Sequence, residues 1–182
     1  MLARAPDELG GWLADGAAFE AAGADALCID VAPEPELDPL SLTAALAALT
    51  FRALLITSLP AAGSPAIAGT LGTIEQLSRG RLRILADAIP SGELADIALR
   101  VGVFRRVPGD PEAFEHVHEP EEAQRWISVP SPDSRAAWRQ TLLDASEGGH
   151  AGLLVPAGPR LLDILRNPDD QGGRRDLQLS QG

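Results

Sequence analysis

One unit recurs along this chain and limits what it can fold into: the end of a helix, a glycine, then a short apolar run. FEAAGADALCIDVAP (residues 19–33), IEQLSRGRLRILADA (74–88) and DASEGGHAGLLVP (144–156) all follow that order. Gly23, Gly80 and Gly149 stand where a helix end favours a left-handed residue, which only glycine adopts without steric cost. The runs behind them are rich in Leu, Ile and Val and too short for helices, so they read as strands buried on both faces, as in parallel sheets.

Helix starts repeat as well. Asp38-Pro39, Ser64-Pro65 and Ser131-Pro132 each place a good N-cap before a proline at the first helical position. Behind them Leu42, Ala45, Leu46 and Leu49, then Ile67, Leu71 and Ile74, then Trp138, Leu142 and Ala145, recur at helical spacing. A first helix is expected from about Asp7 to Ala22, with Leu9, Trp12, Leu13 and Phe19 facing inward, and later ones at Glu93–Val101 and Arg160–Arg166. Strands are expected at Ala26–Val31, Ala53–Leu59, Leu82–Ala88, Val103–Val107, Trp126–Val129 and Gly152–Val155. Helices alternating with strands imply right-handed crossovers and a largely parallel sheet. Residues 1–167 form one α/β domain in this reading, and the polar stretch 168–182 is a mobile tail. Six strands in 182 residues fall about two short of a closed eight-stranded (β/α) barrel. The expectation is an incomplete, TIM-barrel-like fold of about six parallel strands, with a doubly wound sheet as the alternative. The open edges would be covered in a homodimer.

Charge and residue usage remove several function classes. A net charge of -11 repels nucleic acid and anionic membrane surfaces. Every basic residue is arginine, so a lysine Schiff base and a Walker-type phosphate loop are excluded. The single cysteine, Cys28, makes no internal disulfide and fits a reducing, cytoplasmic setting. It sits mid-strand in an apolar run, as a core residue rather than a nucleophile.

The stretches AAGADALCIDVAP, DPLSLTAALAALT, ALLITSLP and SPAIAGTLGTIEQLSRGRLRI, in that order, resemble the bacterial luciferase-like family of flavin-dependent oxidoreductases. The most specific match is Thr73-Ile74-Glu75-Gln76-Leu77-Ser78-Arg79-Gly80-Arg81, which is similar to the family's pattern before its fourth strand. RQTLLDASEGGHAGLLVPAG is similar to the closing helix and strand of such barrels. The resemblance implies a (β/α) barrel, a dimer, FMN or the deazaflavin F420 as cofactor, and a monooxygenase-like oxidoreductase acting on a small organic substrate. The alternative is a non-catalytic barrel remnant that binds a small ligand or a partner subunit.

Barrels of this kind build their sites at the C-terminal ends of strands. That rule selects Asp30, Arg105 and Arg106 for substrate and Thr57, Ser58 and Asp87 for cofactor, the family laying its isoalloxazine ring near the end of this strand. Gly158-Pro159-Arg160 opens the last helix and is the candidate phosphate site, because helix N-termini and arginine suit anions. Each has a plainer reading: Thr57 and Ser58 bonded to loop backbone, Asp30 and Asp87 paired with Arg52 or Arg105, and a simple capped turn at Gly158. His116 and His118 lie in FEHVHEPEE, read as a solvated acidic loop with no metal, and His150 is read as structural.

Overall fold

The structure is a computed structural model, and it describes residues 9–30, 37–59, 65–88, 90–118 and 122–167. Asp7, Val31, Ser64 and the 168–182 tail, all named above, lie outside the described residues. Seven strands form one sheet in chain order: β1 Ala26–Ile29, β2 Leu54–Ser58, β3 Leu82–Ala86, β4 Val103–Val107, β5 Asp110–Val117, β6 Gln124–Ser128 and β7 Gly152–Leu154. The helices are α1 Leu9–Ala21, α2 Pro39–Leu49, α3 Pro65–Ser78, α4 Ala95–Val101 behind a single 3-10 turn, α5 Arg135–Glu147 and α6 Pro159–Arg166.

The sheet is mixed. β1 to β4 pair in parallel and β6 pairs in parallel with β7, but β5 runs antiparallel to both β4 and β6. All six expected strands therefore run in one direction, and the all-parallel expectation fails at a seventh. The signal for β5 is Val107-Pro108-Gly109-Asp110. Proline and glycine at the two central positions, with Gly109 at φ +83°, suit a two-residue hairpin turn. β5 then alternates, sending Phe114 and His116 to one face and Glu115 and Val117 to the other. The expected acidic loop at His116 is thus a strand. His116 is buried and stacks on Phe104 with ring centroids 4.4 Å apart.

The sheet curls into a nearly closed barrel. Cys28, Ile56, Leu85, Phe104, Phe114 and Leu154, with Trp126 against them, form one cluster to which each of the seven strands contributes, so this is the barrel interior. The alternate residues face the helices. Leu27, Ile29 and Leu55 pack with Trp12, Phe19, Leu46 and Leu161, while Leu82, Ile84 and Val103 pack with Ile67, Leu71 and Ile97. Among the described residues β1 pairs only with β2 and β7 only with β6, which leaves a seam between β1 and β7.

Local expectations fare unevenly. Asp38 caps α2 through Ser41 N at 2.8 Å, and Gly23, Gly80 and Gly149 all take positive φ. Ser131-Pro132 does not open a helix; α5 starts three residues later behind Ser134, whose Oγ accepts from Ala137 N, while Ser131 Oγ donates to Pro156 O. Leu9, expected to face inward, is exposed, as are Leu49 and Leu142 from the helical apolar spacing. No helix among the described residues is long and apolar enough to cross a membrane.

The residues of the most specific sequence match do structural work at the N-terminal end of the strands. Arg81 donates to Thr50 O at 2.7 Å, Ala53 O at 2.8 Å and Thr50 Oγ1 at 3.0 Å, holding the end of α2 and its connection to β2. From the other side Glu20 Oε1 accepts from Phe51 N at 2.9 Å, Arg52 N at 2.7 Å and Ala53 N at 2.8 Å. Burial raises the Glu20 carboxyl, but those three backbone bonds and the nearby Arg81 outweigh it and hold the group below its ordinary value.

Candidate functional site

Four of the residues selected by the strand-end rule meet at the C-terminal rim. Asp30 follows β1, Ser58 closes β2, Asp87 follows β3, and Arg106 is the penultimate residue of β4. Ser58 Oγ donates to Asp30 Oδ1 at 2.8 Å. Arg106 spans the two carboxylates, reaching Asp30 Oδ2 at 2.9 Å and Asp87 Oδ1 at 3.3 Å. Beneath it lies the Phe114 ring, 5.4 Å from the guanidinium carbon, in cation–π range.

The partner of the two aspartates is thus Arg106, not Arg52 or Arg105. Strand alternation decides between the neighbouring arginines. Arg106 pairs in register with Phe114 on the interior face, whereas Arg105 pairs with Glu115 on the opposite face and forms an ion pair with it. Arg52 donates to Glu20 O instead.

The other selected residues lie apart. Thr57 alternates with the inward-facing Ile56 and Ser58, so it points into the helix layer; it is fully buried and bonds only weakly to Ser58 O at 3.5 Å. Gly158 is the N-cap of α6 and offers no side-chain cap, so the first backbone N–H groups of that helix are not capped from Gly158. Arg160 is exposed and pairs with Asp133 at 3.2 Å. His150 is half-buried beside Gly148.

Sequence reasoning missed Phe114 and placed His116 in a solvated loop, where the structure has a strand. The Pro-Gly pair and the alternating Phe114 and His116 would have found them. It also missed a cavity of about 320 Å³ that fills the seam, lined by the edges of β1 and β7, by Trp126, and by residues of α1, α5 and α6. Cys28 lines this cavity, and burial pushes its thiol up to about 12, so it stays protonated.

The chain matches no protein-family model and no curated protein.

Proposed function

We propose that this chain is a TIM-type barrel of the luciferase-like kind, a flavin-dependent oxidoreductase acting on a small organic substrate at the C-terminal rim. The observation that carries the reading is the rim cluster: Asp30, Ser58, Asp87 and Arg106, from four successive strands, converge on the face where such barrels keep their chemistry. The order of its sequence segments supports the same family. The residues fit FMN or F420 in part. The N-terminus of α6 behind Gly158 would meet the phosphate, while Ser58 and the Arg106 guanidinium over Phe114 would border the ring. A bound flavin supplies the electron or hydride transfer. The protein's share is to bind it, to set the charge around it through Arg106, and to orient the substrate. Thr57 takes no part in this site, because it faces the helices. The assembly that goes with this reading is a homodimer, for which the exposed Leu49, Phe51 and Leu77 offer apolar surface.

A second reading is favoured by a specific observation: the rim charges are bonded to one another, as a structural tie would be. In that case the chain is a non-catalytic relative. Titration of the purified protein with FMN and, separately, with F420 separates the two. A perturbed visible spectrum that is lost in Arg106→Met supports the flavin reading. Spectra that stay those of free flavin at saturating protein remove it and leave the structural tie.

A further inference from the structure

The seam cavity lies away from the rim cluster, and nothing in the flavin reading uses it. Its volume of about 320 Å³ sits at the lower end of the range for small-molecule pockets. Phe19, Trp126 and Trp138 bring aromatic rings to it from α1, β6 and α5, and Leu161 and Leu165 close it on the α6 side. Besides the indole N–H groups of Trp126 and Trp138 and the Cys28 thiol, its polar lining side chains are Asp25, Ser146 and His150. Asp25 immediately precedes β1, and Ser146 and His150 end α5 and precede β7, so all three gather where β1 and β7 begin. Asp25 and Ser146 are exposed, and this end is the cavity's mouth.

Such a cavity sorts ligands by shape and by charge. The apolar walls take an aromatic body, and leaving them empty forgoes the contacts that a close-packed interior would make. The mouth presents a carboxylate and two hydrogen-bonding side chains, on a chain whose net charge is -11. An anionic head group meets repulsion there, whereas a neutral or cationic one does not. Cys28 on the cavity wall keeps its proton and adds no charge. We propose that the seam is a binding site for a compact aromatic molecule with a neutral or cationic head group, its ring system lying between β1 and β7 and its head at Asp25, Ser146 and His150. The proposal stands independently of flavin binding at the rim.

Two naphthalene dyes test it: prodan, a neutral dimethylaminonaphthalene ketone, and dansylate, a dimethylaminonaphthalene sulfonate of similar body but anionic. Prodan emission is expected to shift to the blue and saturate, with the sulfonate binding at least about tenfold more weakly. Asp25→Asn narrows that gap about threefold, the scale of one exposed charge. Ser146→Trp, at the exposed mouth, and Ala145→Leu, on the cavity wall, each weaken prodan about tenfold, with far-UV circular dichroism confirming that both variants are folded. The proposal is overturned if prodan shows no saturable binding, if the sulfonate binds as tightly as prodan, or if folded Ser146→Trp and Ala145→Leu both bind prodan like the parent protein. A seam occupied by a polypeptide strand gives the first of these results.

Discussion

Glu20 gives the sharpest test of how this barrel is held together. Its Oε1 receives three consecutive backbone N–H groups, from Phe51 to Ala53, and the residue is only 8% exposed. Hydrogen bonds to a charged group contribute roughly 1.5–3 kcal/mol each, and a buried donor left unmade costs about 1–3 kcal/mol. Three donors sharing one oxygen do not add fully, so Glu20→Ala is expected to cost about 4 kcal/mol. Glu20→Gln keeps a neutral acceptor and sheds the charge, at about 2 kcal/mol. With a urea slope of about 2 kcal/mol per molar, the unfolding midpoints fall by about 2 M and 1 M. The pH dependence follows from the lowered carboxyl. A group whose folded pKa lies below its unfolded value contributes stability that is complete above the ordinary value of 4.5 and is lost as pH falls through the folded one. The gap between the parent and Glu20→Gln should therefore be full at neutral pH and shrink steadily on acidification below pH 4.5. A Gln variant with the parent's midpoint at neutral pH, or a gap that ignores pH, would refute the reasoning.

Other outcomes follow from the same structure. Arg106→Met takes the guanidinium from the largely buried Asp30, Asp87 being solvated, and should cost about 1–2 kcal/mol in thermal unfolding, against less than about 1 kcal/mol for Arg105→Met, whose partner is half-exposed; equal losses would mean the two arginines are not separated by strand face. A Cβ at Gly152 would stand 2.5 Å from the Trp126 ring, so Gly152→Ala should lose about 2 kcal/mol and alter the near-ultraviolet tryptophan signal. Cys28, with its thiol near 12, should resist a disulfide reagent at pH 8 until the protein is unfolded; rapid labelling of the native protein would contradict its burial.

Much of the barrel was legible because its units are punctuated by residues with backbone reasons to be there. Gly23, Gly80 and Gly149 mark real helix ends, and six apolar runs mark strands of one direction. β5 was hidden because acidic residues mask its alternation, so the stretch behind Pro108-Gly109 reads as a solvated acidic loop. The rim was half legible. The strand-end rule found Asp30, Ser58, Asp87 and Arg106, since chain position fixes which end of a strand a residue occupies. It could not separate Thr57 from Ser58 or Arg105 from Arg106, because adjacent strand residues face opposite ways and which way depends on register. The open edges were expected from the strand count, but the cavity between them could not be read, since a cavity is the difference between volumes contributed by distant segments.

The β4–β5 hairpin gives the barrel a lopsided skyline. Every other strand reaching the rim is followed by at least four residues of connecting chain before the next helix, while here the chain doubles back after Pro108 and Gly109. Beside Arg106 the rim is closed by that two-residue turn alone. Length added to the turn should narrow the approach to Arg106 and Phe114 without disturbing the residues beneath.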